Sequence, residues 1–106
     1  IRIKLKFYAG AEEDLTIYLE KNEYDKDALI NRGIARYGLK EYKKAIEDFN
    51  KVEELQGAGP EVYYYRGVAK LYTDDDKGAC KDLKKALELG HGPSQRLIDK
   101  YCGKDK

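Results

Sequence analysis

"RGIA" at residues 32–35 and "RGVA" at residues 66–69 decide how this chain is read. Both tetrapeptides lie inside stretches whose apolar residues recur at helical spacing, where a glycine costs about 0.5–1 kcal/mol relative to alanine. Shifting the sequence by 34 residues superimposes them, and the match continues well beyond the four letters. Arg32, Gly33 and Ala35 meet Arg66, Gly67 and Ala69. Lys43, Ala45, Asp48, Lys51, Glu54 and Leu55 meet Lys77, Ala79, Asp82, Lys85, Glu88 and Leu89. Nine identities in one ungapped register, with Ile34/Val68 and Phe49/Leu83 as conservative pairs, mark an internal repeat.

Each repeat reads as two helices. Ala28, Leu29, Ile34, Ala35 and Tyr37 form the apolar stripe of the first, and Gly38 interrupts it. Tyr42, Ala45, Ile46, Phe49, Val52 and Leu55 form the second, which Gly57 and Gly59 end. In the next repeat Pro60 suits a first helical turn and Glu61 its positive end. Tyr63, Val68, Ala69 and Leu71 make the inner stripe. Thr73 and the aspartates of "TDDD" are candidate caps for a helix carrying Ala79, Cys80, Leu83, Ala86, Leu87 and Leu89, closed by Gly90 and Gly92. The glycines then have a purpose: Gly33 is expected to face Ala45, and Gly67 to face Ala79, where paired helices approach most closely.

A 34-residue pair of helices with a small residue midway along the first and Ala-x3-Phe in the second resembles the tetratricopeptide repeat (TPR). The matching residues are Leu29, Gly33, Ala35, Tyr42, Ala45, Phe49 and Leu55, then Tyr63, Gly67, Ala69, Ala79, Leu83, Ala86 and Leu89. Leu29 and Tyr63 stand where the family has tryptophan. Arg32 and Arg66 replace a leucine, Arg36 and Lys70 a tyrosine, and Gly57 and His91 the terminal proline. A Sel1-like repeat is the nearest alternative, with a somewhat longer period. The resemblance implies an all-α, right-handed solenoid of antiparallel helix pairs. Its parts would be a partial repeat over 1–24, full repeats over 25–59 and 60–92, and a capping helix with a tail over 93–106. Tyr8, Ala11 and Leu15 take the register of Tyr42, Ala45 and Phe49, so "FYAGAEEDLTIYLEKN" is expected as a second helix and "IRIKLK" as the tail of a first. Read by alternation alone, "IRIKLK" would be a short strand. The chain begins at Ile1, which reads as a fragment or a processed product, and Ser94 is expected to cap the last helix.

Composition narrows the function. Of 106 residues 42% are hydrophobic, enough for one core, and 21 basic against 20 acidic residues leave a net charge of +1. So balanced a charge argues against nucleic-acid and membrane-surface roles, which need a one-sided field. With a single histidine and no nucleophile or phosphate-loop motif, no enzyme activity is expected, nor any cofactor or metal; "TDDDK" lacks calcium-loop spacing. Cys80 and Cys102 read as reduced structural thiols, which points to a reducing, cytoplasmic setting.

Proteins resembling this family bind peptides or helices in a concave groove lined by the first helices. Carried over by register, that groove comprises Asp27, Ile30, Asn31 and Ile34, then Glu61, Tyr64, Tyr65, Val68 and Tyr72, with flanking positions such as Tyr37, Leu71 and Ile98. Ten tyrosines are a high content, and several fall on this surface, where they supply contact area with a polar tip. Tyr37 and Tyr63 are expected to pack between repeats; Tyr64, Tyr65 and Tyr72 are the candidate contacts. Only Asn31 fits the carboxylate clamp by which one subclass holds chaperone tails, so chaperone-tail binding is not expected. The expectation is a non-catalytic protein–protein interaction module for a protein or peptide partner. The alternatives are a structural scaffold that self-associates through its N-terminal face, and a regulatory appendage of a larger protein.

Overall fold

The computed structural model describes residues 2–102, with side chains from Phe7 onward. Six helices account for the described chain, and they fall into two units, Ile1–Gly57 and Ala58–Lys106. The first unit holds α1 (Arg2–Lys21), α2 (Lys26–Gly38) and α3 (Tyr42–Glu54), with α2 packed against both others. The second holds α4 (Pro60–Tyr72), α5 (Asp76–Glu88) and α6 (Ser94–Tyr101), with α5 packed against both others. The all-α class and the packing of helices in adjacent pairs agree with the sequence reading.

Part of each stripe read from the sequence forms a core: Leu29, Ala35, Ala45, Phe49 and Val52 are buried in the first unit, and Ala69, Ala79, Leu83 and Ala86 in the second. Val62, outside the stripes, is buried as well, whereas Tyr63 is half-buried and Leu89 is 45% exposed. Gly33 lies against the Phe49 ring. A Cβ there would stand 2.6 Å from Cε1 of Phe49, whose ring fills the space the glycine opens. At Gly67 the corresponding contacts are Cγ of Leu83 at 3.0 Å and the Ala79 carbonyl oxygen at 3.2 Å. Fully burying a Phe or Leu side chain is worth about 1.5–3 kcal/mol, which outweighs the propensity lost at the glycine.

Four helices end alike. Lys40, Gln56, Asp74 and Gly90 each follow a helix in the left-handed region, at φ of 65°, 60°, 66° and 105°. The next N–H then bonds back to a carbonyl of the last turn: Glu41 to Arg36, Gly57 to Val52, Asp75 to Lys70, His91 to Ala86. Only one of the four positions is a glycine. Asp75 caps α5 by accepting the Gly78 N–H, and Asp25 caps α2 by accepting that of Ala28. Thr73 instead donates its hydroxyl to the Lys70 carbonyl.

Three expectations change. From Arg2 the backbone runs as one helix through Lys21, with neither a strand nor a break after "IRIKLK". Lys4 stands in register with Gly38, and no glycine or proline interrupts residues 1–9. Ile1 and the side chains of residues 2–6 lie outside the described residues, as do residues 103–106 of the expected tail. Ser94 does not cap α6. Pro93 holds the N-cap position, and the buried Ser94 hydroxyl pairs with His91 Nδ1 at 2.8 Å.

Most consequentially, Cys80 and Cys102 are not reduced thiols: they form a disulfide between α5 and the end of α6. Packing of α6 on α5 brings their Cα atoms to 5.8 Å, inside bonding range, although 22 residues separate them in sequence. The chain thereby loses its argument for a reducing setting, since such bonds persist where conditions are oxidising.

Candidate interaction site

The residues expected to meet a partner lie on α2 and α4 at three-and-four spacing. On α2, Asp27 and Asn31 are exposed, while Ile30 and Ile34 are half-buried. They form the stripe left over after Ala28, Leu29, Gly33 and Ala35 are buried. On α4, Glu61 is exposed, and Tyr72 is 63% exposed. Tyr64 and Tyr65 are half-buried, with their rings edge to face at 5.5 Å. Val68 is buried at 8% exposure and belongs more to the core of the second unit than to its surface.

Tyr64 carries a further contact. Its ring lies 4.4 Å from the His91 imidazole, which also meets Ser94, so the sole histidine braces the loop before α6 against α4. Tyr37 and Tyr63 are half-buried. Tyr37 sits edge-on to Tyr42 at 5.8 Å, and the Arg66 guanidinium lies 5.4 Å over Tyr63.

Behind these faces lies a feature the sequence reading did not assemble. Arg32 donates from Nε and Nη2 to the two oxygens of Asp48 at 3.0 and 2.7 Å. Arg66 does the same to Asp82 at 2.8 and 2.7 Å. Each pair joins the first and second helix of one repeat. Arg36 adds a contact to Asp48 at 3.2 Å and reaches Glu12 of α1 at 2.9 Å; Lys70, its register partner, meets Asp82 at 3.0 Å. Burial works to raise the Glu12 carboxyl, but the Arg36 hydrogen bond and charge, with help from Glu41 and Lys44, hold it below the usual value. Hydrogen bonding to Asp48 holds Arg32 above the ordinary arginine value, against the effect of its burial. The signal was present in the sequence: Arg32/Arg66 and Asp48/Asp82 repeat together, 16 residues apart. Reading each as an isolated register match hid the pair. The heads of both arginines go to carboxylates.

Among the described residues no cluster of His, Cys, Asp and Glu is placed to hold a metal, and no helix is long and apolar enough to cross a membrane.

No protein-family model matches the sequence. Similarity to known proteins is found with "Protein STIP1 homolog" of Dictyostelium discoideum, 30% identical over 71 residues, covering 67% of this chain and 13% of that protein. "RNA polymerase II-associated protein 3" of Xenopus tropicalis is 26% identical over 118 aligned positions, covering 94% of this chain and 17% of that protein. "DnaJ homolog subfamily C member 3 homolog" of Dictyostelium discoideum is 29% identical over 82 residues, covering 77% and 16%. All three contain tetratricopeptide repeats, and the six-helix arrangement fits that repeat. The chain is a TPR-like helical repeat protein. Such TPR relatives point to protein–protein interaction as the general role and are non-enzymatic in kind. This TPR-like chain spans only 13% to 17% of the length of these relatives.

Proposed function

We propose that this TPR-like chain is a non-catalytic interaction module that binds an extended or helical segment of a partner protein. The contacts would come from Asp27, Ile30, Asn31 and Ile34 on α2 and from Glu61, Tyr64, Tyr65, Val68 and Tyr72 on α4. The observation that carries the proposal is the α2 stripe. Within its unit α2 is flanked by both α1 and α3, yet Asp27, Ile30, Asn31 and Ile34 keep surface exposed. A helix held on two sides presents its third as a rigid surface, which lowers the ordering cost of binding. Tyrosines on α4 provide anchor area, and Asp27 and Glu61 favour a segment with apolar side chains and some positive charge. Burial of Val68 and the stacking of Tyr64 on His91 leave Asn31 and Tyr72 as the cleanest contacts to test.

Selection from a displayed peptide library on the intact chain tests this reading. Peptides enriched on the native protein should lose binding to Asn31→Ala and Tyr72→Ala, but not to Lys84→Ala, an exposed position of α5. Equal binding to all variants, with unchanged helicity, overturns the assignment of the site.

A further inference from the structure

Helix α6 is fastened at its two ends. Its eight residues are too few for a helix that stands alone in water. Leu97 and Ile98 are half-buried, and Tyr101 is 44% exposed. The buried positions are the first residue, Ser94, and the C-cap, Cys102. Cys102 is bonded to Cys80 of α5, and the Ser94 hydroxyl meets His91 Nδ1 at 2.8 Å. His91 is divided between two sets of contacts. Its backbone N–H bonds to the Ala86 carbonyl of α5, which fixes the main chain. Its ring is placed by Ser94 and by Tyr64 of α4, whose ring lies 4.4 Å away. A path of contacts therefore runs from the disulfide along α6 to a tyrosine on the α4 face.

We propose that the Cys80–Cys102 disulfide is a redox control on that face: reduction releases α6, the His91 ring loses its Ser94 partner, and Tyr64 loses the orientation in which it meets a partner segment. This control rests on the proposed role of α4 in binding. The co-reactant is a dithiol. One of its thiolates attacks a sulfur of the bond, forming a mixed disulfide and expelling the other cysteine. Its second thiol then closes on the first and expels the remaining cysteine. Two electrons pass to the protein, the two protons of the dithiol end on Cys80 and Cys102, and the reductant leaves as its own disulfide. Cys80 and Cys102 are 8% and 6% exposed, so attack follows fraying of the last turn of α6, where Cys102 sits. Once the bond is open, a short helix with half-buried apolar residues spends part of its time undocked. Tyr64 must then be immobilised at the moment of binding, a cost the oxidised protein has met beforehand. Binding is weakened rather than abolished, because Tyr72 is 63% exposed on α4 and does not touch this path.

The probe is a peptide enriched by display selection on the oxidised intact chain, and calorimetry measures its affinity with and without dithiothreitol. Reduction should weaken binding roughly two- to tenfold, the scale of immobilising one side chain. Cys80→Ser with Cys102→Ser should show the same loss without any reductant. His91→Ala keeps the bond and separates the path through His91 from a general loosening of the fold. It should lower affinity by a similar factor, and dithiothreitol should then add little. In the free protein, reduction should shift the ring resonances of Tyr64 and His91 and leave those of Tyr37 and Tyr42 in place. Peptides indifferent to Asn31→Ala and Tyr72→Ala overturn the reading of the binding face, and this control with it. A peptide that depends on Tyr72 but binds the reduced chain equally well overturns the control alone. So does a His91→Ala chain that still responds in full to dithiothreitol, or a Tyr64 ring signal that reduction does not move.

Discussion

Arg66 and Asp82 meet fork to fork, with hydrogen bonds of 2.8 and 2.7 Å, and both side chains are almost removed from solvent, at 6% and 4% exposure. The same relationship joins Arg32 and Asp48 one repeat earlier. In a typical apolar core these positions would be filled by aliphatic side chains. Desolvating two ions costs several kcal/mol each, so the net stabilisation from such a pair is small while the penalty for breaking it is large. Its geometric demand is strict, and we read the pair as a device that sets the register between first and second helices.

That reading predicts an asymmetry. Asp82→Ala removes the carboxylate shared by the buried Arg66 and the half-buried Lys70 and should destabilise the chain by about 3–5 kcal/mol. Replacing both partners, Arg66→Met with Asp82→Leu, should cost far less or be neutral. Urea unfolding of the two variants checks it; equal losses would show that the ions themselves dominate stability.

The Gly33 contact with Phe49 predicts a second asymmetry. Gly33→Ala places a methyl group 2.6 Å from a fully buried ring and should cost about 1–3 kcal/mol, despite alanine's better helix propensity. In a Phe49→Leu background, which reproduces the side chain at Leu83, the cost of Gly33→Ala should shrink. A double-mutant cycle of melting curves measures the coupling.

The disulfide predicts redox-dependent stability. Reduction, or Cys80→Ala with Cys102→Ala, should lower stability by about 2–4 kcal/mol, because the open chain regains loop entropy. Hydrogen exchange should accelerate first in α6, the helix that the bond ties to α5. Intact mass under non-reducing conditions shows whether the bond has formed, and identical melts with and without reductant would remove its structural role.

Two carboxylates contribute to the acid sensitivity of the fold. Glu12 is held low chiefly by Arg36 against the opposing effect of burial. Asp25 is lowered first by the Tyr18 hydroxyl, which donates to it at 2.6 Å, and then by the Ala28 N–H. Because both folded values lie below the unfolded ones, the folded state binds fewer protons there. This contribution is full above the unfolded carboxylate values of about 4 and is lost as pH falls through the folded values. Tyr18 works at the alkaline end. Its hydroxyl is raised by the same hydrogen bond, so its contribution is present below its unfolded value of about 10 and is lost as pH rises through the folded one. Urea midpoints across pH should therefore slope at both ends. Glu12→Gln should flatten the acid slope, and Asp25→Asn should flatten both.

The helices and their pairing are legible in the amino-acid order alone. Helical spacing is a local property, set within three or four residues, so the stripes of Leu29, Phe49 and Leu83 announce helices and the 34-residue period announces their pairing. Relations between side chains on different helices are not legible in this way. Arg32 and Arg66 are visible, as are Asp48 and Asp82, yet that they fork together depends on how the two helices are set side by side. Cys80 and Cys102 show no recognisable spacing, because only the return of α6 onto α5 brings them within 5.8 Å. The faces of α1 and α3 share one register, and only the arrangement of neighbouring helices makes one a core and the other a surface. Periodicity along a chain is written by backbone geometry. Distance across it is decided by packing, which no single segment carries.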